Sequence, residues 1–482
     1  MNTLFRIAFG DYEFVLDRTT LTYSLTETVT KTVWATELSL GWIEIKDRAT
    51  GAITRTDFGD CKLISIAEKM GAAGKRILLG LDAPSGVPID IYLICGSKDI
   101  QLTVEASRDS KTHLLERVGL LPGLCHAEQG GYLVLPQGEG ILVPADTSAH
   151  LDSRVLPIWN PLTGLLMPFI GATAPGTALA LLTDSAYGEA HLTQKEGLLC
   201  ANFVYERDPE RRRLDIRVVP LPKGNYISIA QAYREKLIGE RNHQTFRKKL
   251  REKPKLEEYL GITHPEIPDT GVELQSGLHT EINRWEFMET QLTQAEGQQL
   301  VITGAGDWAY FAADAWMHKL RPDFPETSIP VPLFSVVYRD SILLYTYQVV
   351  LSSILRMKPI FLLFERETPE ARLLADLHAL TFPAFLTAHK FLTPDFLVEE
   401  AFYSDKTRVV INKSETETYE TDDLLLPPGG FYVRHPQFEA HDALRVRTVD
   451  FPKRAWRVRR SLDGKPLEQS EQIEEREFEV NG

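Results

Sequence analysis

The chain has 482 residues, of which 43% are hydrophobic and 25% are charged, so it has the composition of an ordinary globular protein with length for several domains. Its formal net charge of -14 argues against nucleic acid as a partner, because nucleic-acid binding depends on clustered Lys and Arg. The only basic run, at residues 247–253, is typical of a solvated helix face.

The four cysteines are widely separated, and none shares metal-ligand spacing with another Cys or a His. This predicts buried thiols in a reducing compartment, at Cys61, Cys95, Cys125 and Cys200. The first residues lack the pattern of a secretory leader, and no apolar run reaches the roughly 18 residues of a membrane span. We therefore expect a cytoplasmic protein, unless a leader has been removed, with no membrane contact, no bound metal and no cofactor.

Residues 1–222 consist of short alternating runs separated by Gly, Asp, Pro and Ser. A period of two indicates half-buried strands, and turn residues between them indicate antiparallel hairpins. The stretch predicts a large N-terminal antiparallel β-sandwich. The pattern is least regular over residues 114–121.

Residues 223–394 change to helical spacing and then to alternating helices and apolar runs. Two helices are predicted first, over about 224–240 and 245–260. Residues 262–277 have the character of a shortened connection. Beyond them the pattern predicts βα units, the usual source of parallel strands. Its strands are predicted at QQLVIT, VPLFSVVY and PIFLLF, and its helices near 279–296, 309–320, 341–356 and 369–378.

Residues 395–464 return to alternation and predict a small C-terminal β-domain. Residues 465–482 form an acidic tail, rich in Glu and poor in large apolar side chains. Two interpretations of the tail remain open: a final strand or a mobile end.

Five stretches carry a family resemblance: GGYLVLPQGEGILVP (130–144), GNYISIAQAYREKL (224–237), GDWAYFAADAW (306–316), VPLFSVVYRDS (331–341) and LPPGGFYVRHPQF (426–438). In this order the chain resembles glycoside hydrolases related to endo-α-N-acetylgalactosaminidases and allied uncharacterised bacterial proteins. The resemblance implies a β-sandwich, a βα barrel and a C-terminal β-domain. It also implies a carbohydrate ligand.

The βα region is short for a barrel of eight units, which takes about 200 residues at least. We therefore expect a reduced, partial barrel with fewer than eight units between about 240 and 394. Because an open parallel sheet has an unpaired edge, a homo-oligomer that completes the half-barrel is a further expectation.

Glycoside hydrolysis generally needs two carboxyl groups. The candidates are Asp307, Asp340 and Glu365, which all follow apolar runs predicted as strands. The resemblance implies a Glu ahead of the Asp-Trp pair, where this sequence has Ala305. Alanine cannot transfer a proton. We therefore predict a carbohydrate-related protein with impaired hydrolysis, and the alternative is a non-catalytic binding or scaffold protein.

Further side chains near these runs are candidates for contacts with a sugar, by stacking or by hydrogen bonding. They are Trp285, Trp308, Asp314, Trp316, Tyr338 and Arg339. Structural alternatives exist for several candidates. Asp307 and Asp340 are also suited to capping the helices predicted after them, and Asp314 and Trp316 fall inside a predicted helix.

The remaining polar residues suggest no other chemistry. No Ser-His-Asp pattern, nucleophile elbow or phosphate-binding loop is recognisable. His378 and His389 lack metal-ligand spacing. His435 and His441 are expected to cap turns of the C-terminal β-domain.

Overall fold

A computed structural model describes residues 4–71, 74–106, 111–126, 130–145, 154–159, 164–184, 188–195, 197–206, 213–259, 272–273, 301–303, 315–318, 327–346, 361–362, 376–377 and 380–479. The chain forms two compact units. Unit 1 consists of Met1–Tyr233, Gly277–Arg284 and Arg321–Val331, and unit 2 consists of Arg234–Ser276, Trp285–Leu320 and Pro332–Gly482.

The described strands number 36. They are β1 (Leu4–Phe9), β2 (Tyr12–Asp17), β3 (Thr22–Glu27), β4 (Val33–Ser39), β5 (Gly41–Asp47), β6 (Ile53–Asp57), β7 (Lys62–Gly71), β8 (Gly74–Asp82), β9 (Pro88–Cys95), β10 (Ile100–Ala106), β11 (His113–His126), β12 (Tyr132–Leu135), β13 (Ile141–Pro144), β14 (Val155–Pro157), β15 (Phe169–Ala174), β16 (Thr177–Thr183), β17 (Gly188–Lys195), β18 (Leu198–Glu206), β19 (Arg213–Pro222), β20 (Val272–Glu273), β21 (Val301–Thr303), β22 (Ala315–His318), β23 (Ile329–Pro330), β24 (Leu343–Thr346), β25 (Phe361–Leu362), β26 (Leu386–Phe391), β27 (Val398–Tyr403), β28 (Arg408–Asn412), β29 (Tyr419–Glu420), β30 (Leu424–Leu426), β31 (Phe431–His435), β32 (Phe438–Asp442), β33 (Arg445–Val446), β34 (Val449–Asp450), β35 (Ala455–Ser461) and β36 (Ile473–Glu479).

The bounds of three α-helices are described: α1 (Tyr226–Gly239), α2 (Phe246–Glu252) and α3 (Leu333–Tyr338). Residues 376–377 and 380–381 are helical as well. Two short 3-10 turns lie at Phe58–Asp60 and Pro254–Tyr259. Asn225 caps α1, since its Oδ1 accepts hydrogen bonds from the backbone N of Ile227 at 2.9 Å and of Ser228 at 3.2 Å. The first two helices were predicted from the sequence and are confirmed. None of the described helices is long and apolar enough to span a membrane.

Unit 1 contains three antiparallel sheets. Their strand orders are β1-β2-β3-β4, β14-β17-β18-β11-β5-β6, and β23-β13-β12-β15-β16-β19-β10-β9-β8-β7. Side chains from all three sheets form one buried core. Alternation explains it: Tyr12, Phe14 and Leu16 of β2 are buried, and the residues between them are half-buried. The predicted antiparallel β region is confirmed.

Strand β11 includes residues 114–121, where the alternation was weakest. Its register with β5 shifts between Leu115 and Arg117, and its register with β18 shifts between Leu120 and Cys125. Leu121 has a positive φ of 49°. These irregularities interrupt the period of two, which is why the sequence pattern did not indicate the strand.

Unit 2 contains a parallel sheet with the order β20-β21-β22-β24-β25, in which every described pair of neighbours is parallel. Strands therefore neighbour one another in chain order, as in barrels built from βα units. Closure into a partial barrel stays a prediction.

Several predicted elements of this region were wrong. The run VPLFSVVY contains α3 instead of a strand, and the helices predicted near 309–320 and 341–356 contain β22 and β24. Strand β20 lies in the predicted connection at 262–277. Short apolar runs suit a buried helix as well as a buried strand, and periodicity alone does not separate the two.

The end of unit 2 contains a seven-stranded antiparallel sheet, ordered β26-β27-β28-β31-β32-β35-β36, and a four-stranded sheet, ordered β29-β30-β33-β34. Val398, Val410, Leu424, Leu426 and Tyr432 belong to the core between them. Strand β36 lies in the predicted acidic tail, so a final strand is the correct interpretation over Ile473–Glu479.

Candidate functional site

The carboxyl ends of the parallel strands meet at one edge of the sheet, where βα proteins place their binding and catalytic groups. In the sequence, Asp307 follows β21 closely and Glu365 follows β25 closely. Both residues lie outside the described residues, as do Trp285, Trp308 and Asp314. Their roles stay predictions.

Trp316 lies in β22, the strand between β21 and β24. It is in register with Ile302 on one side and Leu344 on the other. The helix expected around it was wrong, because the residues form a central parallel strand instead. Its role in binding a sugar stays a prediction.

Asp340 was expected at the carboxyl end of a strand, and this placement was wrong. It follows α3 and precedes Leu343, the first residue of β24. Asp340 is therefore on the amino side of that strand. Because β21, β22 and β24 are parallel, this is the side away from the carboxyl edge that β21 reaches at Thr303.

The Asp340 carboxylate is held by a buried ion pair. Arg234 donates from Nη1 to Oδ1 at 2.8 Å and from Nη2 to Oδ2 at 2.6 Å. His243 Nε2 lies 3.4 Å from Oδ1. Arg234 Nη1 also donates to the Val337 carbonyl at 2.6 Å, and the guanidinium carbon lies 4.4 Å from the centre of the Phe385 ring. Two-point pairing of this kind fixes both charged groups.

Two more hydrogen bonds connect residues 340–341 to the segment at the start of α2. The backbone N of Phe246 donates to the Asp340 carbonyl at 2.7 Å, and Ser341 Oγ donates to the Gln244 carbonyl at 2.7 Å. Asp340 thus joins two segments that are distant in sequence. We name Arg234, His243 and Asp340 the anchor cluster.

The anchor cluster is unsuited to acid catalysis. Burial favours a higher pKa for the Asp340 carboxyl, but the hydrogen bonds from His243 and Arg234 outweigh burial and lower the pKa to about 2. A general acid must hold a proton near neutral pH, and this carboxyl is ionised there. Both oxygens are also engaged by protein groups, so the contacts observed for Asp340 are structural, and its catalytic role stays a prediction.

Tyr338 and Arg339 are buried as well, with 2% and 1% of their surface exposed. The Tyr338 ring stacks on His243 at 6.1 Å between centroids, and the Arg339 guanidinium carbon lies 4.7 Å from the centre of the Phe382 ring. Burial lowers the pKa of Arg339 to about 10, so the side chain stays charged at neutral pH. Both side chains pack inside the protein, and their predicted contacts with a sugar stay predictions.

The sequence pattern did not identify Arg234 and His243 as functional or structural partners. Arg234 belonged to the helical period of α1, among Ile227, Ala230 and Leu237, which are buried. A charged residue in the buried stripe of a helix signals a buried partner, because a lone buried charge is costly. The partner itself comes from a distant segment and cannot be read from spacing.

The histidines of the C-terminal sheets are engaged in local structure. His435 Nδ1 accepts a hydrogen bond from the backbone N of Gln437 at 3.2 Å, which confirms the predicted turn cap. His389 Nε2 lies 3.6 Å from Glu399 Oε2, and Lys413 Nζ is 2.9 Å from the same oxygen. Across the described residues, no group of three His, Cys, Asp or Glu is arranged to hold a metal ion.

All four cysteines are free and buried, as predicted. Burial raises the pKa of Cys61 to about 11 and that of Cys95 to about 12. Thiols with such pKa values are protonated at neutral pH and are poor nucleophiles.

Comparison with solved structures identifies the type of fold. The chain is similar to the α-N-acetylgalactosaminidase NagBb from Bifidobacterium bifidum in complex with GalNAc, with a TM-score of 0.69 at 12% identity over 85% of this chain and 98% of that chain. The ligand-free form of NagBb gives a TM-score of 0.65 at the same identity and coverage. The protein has a glycoside hydrolase-like fold. Its sequence matches no protein-family model and no curated protein.

This similarity concerns the fold alone, because the identity is low. It agrees with the resemblance that the five sequence stretches indicated. A β-arabinopyranosidase also matches, with 7% identity over 88% of this chain and 93% of its own, but its TM-score of 0.37 supports no argument.

Proposed function

We propose that the protein binds a carbohydrate at the carboxyl edge of its parallel sheet. One observation carries the proposal: β21 and β25 belong to the same parallel sheet, and the chain reaches Asp307 and Glu365 shortly after them. In sheets of βα units, groups that follow different strands converge at this edge. The glycoside hydrolase-like fold supports a sugar as the ligand.

Asp307 and Glu365 are the proposed carboxyl groups at this edge, either of which suits the role of nucleophile or base, and Trp308 is the proposed stacking platform. A general acid that completes the pair would lie about 5 Å from its partner in a retaining mechanism and about 6.5 to 9.5 Å from it in an inverting one. The similar NagBb structure contains GalNAc, so we propose an N-acetylgalactosaminide as the first ligand to test.

We further propose that hydrolysis is impaired at Ala305. The side chain at this position cannot donate a proton to a leaving oxygen, and loss of a positioned general acid typically removes 10²- to 10⁴-fold of rate. Aryl glycosides with good leaving groups need less assistance from an acid. Binding is therefore expected to persist where hydrolysis of ordinary glycosides does not.

The test combines calorimetric titration with GalNAc and turnover of p-nitrophenyl and alkyl α-N-acetylgalactosaminides. Ala305→Glu should raise alkyl glycoside hydrolysis and introduce a bell-shaped pH profile. Asp307→Asn and Glu365→Gln should each abolish that gain. Glu479→Gln, an exposed charge change in the C-terminal sheet, is the control and should change nothing.

Two outcomes would contradict parts of this proposal. Binding of GalNAc without turnover in the Ala305→Glu variant would favour the non-catalytic binding protein. Rapid hydrolysis of the alkyl glycoside by the unmodified protein, indifferent to residues 307 and 365, would contradict both the site and its impairment.

A further inference from the structure

We propose that a second copy of the chain adds its last strand, β36, to the free edge of β7. Strand β7 is an edge strand of its sheet, with β8 as its single neighbour in the described part of the chain. All ten of its residues are exposed. Its apolar side chains are exposed by 37% (Leu63), 55% (Ile64), 39% (Ile66) and 80% (Met70). A long exposed edge with apolar side chains favours pairing with another strand.

The charges near β7 indicate the chemistry of the partner. Strands β7 and β8 carry Lys62, Lys69, Lys75 and Arg76 against Glu68 and Asp82, in a chain whose formal net charge is -14. An acidic extended segment is therefore the complementary partner.

Strand β36 of a second copy has these properties. It is the edge strand of the seven-stranded sheet, with β35 as its one neighbour among the described residues. Glu475, Glu477 and Glu479 are exposed on one face of it. Counted over the edge strands alone, β7 carries two Lys and one Glu, and β36 carries four Glu and one Arg, two of these Glu being paired with Arg457 and Arg459 of β35. The two edge strands thus have opposite charge, and each has an unpaired side.

A β-bulge limits the part of β7 that can pair regularly. The register with β8 shifts between Leu63 and Ser65, so a regular ladder can run from Ser65 to Gly71. This stretch has the same length as β36, which spans seven residues.

An antiparallel register over this stretch brings complementary side chains together. With Ser65 opposite Glu479 of the second copy, Lys69 faces Glu475 and Glu68 faces Arg476. Ile66 then faces Phe478. Directly opposed residues of antiparallel strands share a face, so one pair of opposite charges forms on each face, and the apolar pair lies on the face of Glu68 and Arg476.

Pairing of two copies of β7 with each other is less favourable. Full antiparallel overlap of Ser65–Gly71 with itself puts Glu68 opposite its own copy, and like charges directly opposite are destabilising. The β36 partner avoids this. Because the two paired surfaces differ, the contact is head-to-tail and allows growth beyond a dimer or closure into a ring.

Charge reversal in the full-length chain, followed by sedimentation velocity over a range of concentrations, tests the proposal. The unmodified protein should associate in low salt, and Lys69→Glu or Glu475→Lys should each weaken association about tenfold or more. The double variant Lys69→Glu/Glu475→Lys should restore it. Glu479→Lys is the matched control, since it reverses the same charge opposite an uncharged Ser65, and its effect should be smaller.

The single variants should fold. Lys69 is in register with Arg76, so a Glu there gains an opposite charge, and the Arg459–Glu475 pair is exposed and contributes little to stability. Circular dichroism checks this. A monomer at all concentrations, association that the double variant fails to restore, or equal effects of Glu479→Lys and Glu475→Lys would each overturn the proposal.

Discussion

Substitution of Asp340 by Asn should strongly destabilise unit 2. The change removes one charge from the anchor cluster and leaves Arg234, whose side chain is 10% exposed, without its carboxylate. Breaking a buried ion pair typically costs 3–5 kcal/mol, because the remaining charge is uncompensated. The lowered pKa of Asp340 accounts for part of this cost. A shift from 3.8 to about 2 corresponds to roughly 2 kcal/mol of stabilisation of the ionised carboxylate in the folded protein.

The sign of the pH dependence follows from the same shift. A depressed folded-state pKa stabilises the protein above the unfolded value of 3.8, and this contribution is lost as the pH falls toward about 2. Loss of the contribution from Asp340 is therefore confined to strongly acidic solution. At neutral pH the whole effect of the substitution should be visible.

Hydrogen exchange of peptides from α2 and α3, which both belong to unit 2, measures the loss in that unit directly under increasing urea. Glu479→Gln serves as the control, because the Lys453–Glu479 pair is 60% and 81% exposed and is expected to contribute less than about 1 kcal/mol. Replacing both partners, as Arg234→Met/Asp340→Leu, should recover much of the stability. A loss for Asp340→Asn no greater than that of the control would refute the structural role.

Two further substitutions test other parts of the fold. Burial and the arginines of β35 lower the pKa of His441 to about 4. The free energy of unfolding should therefore fall as the pH drops from 6.5 toward 4, by about 2 kcal/mol at pH 5. His441→Gln should flatten this pH dependence, as measured by urea denaturation. Gly119→Ala should lower the stability of unit 1 by about 1–3 kcal/mol, because the added Cβ would lie 2.2 Å from Trp42 Cε2. Gly239→Ala is the control and should not destabilise the protein, because no atom lies within 4 Å of its added Cβ. Equal melting temperatures of the two variants would contradict the packing argument.

The sequence was informative where one periodicity dominated. Alternation over 1–222 predicted the antiparallel sheets, and the helical spacing after Gly224 predicted α1. Between about 300 and 346 the predicted elements were displaced. The run at 331–338 is almost entirely apolar, with Ser335 as its one polar residue before Tyr338. Such a run has no periodicity that distinguishes a helix from a strand.

The site was less predictable than the fold because its chemistry depends on long-range contacts. Asp340 followed an apolar run, a position that suits a catalytic carboxylate if the run is a strand. The run is a helix, and the carboxylate pairs with Arg234, which is remote in sequence. Neither the direction of the chain at Asp340 nor its partner is encoded locally. Residues 307 and 365 stay predictions for the same reason.

The position of the anchor cluster bears on whether the impairment proposed at position 305 would affect the buried ion pair. In proteins built from βα units, residues at the amino ends of the strands mainly support stability, and those at the carboxyl ends carry chemistry. Asp340 precedes β24, whereas Ala305 follows β21. A change at position 305 therefore need not disturb the ion pair. If the impairment proposed above is correct, loss of a catalytic acid there would remove rate and leave the Arg234–Asp340 ion pair intact.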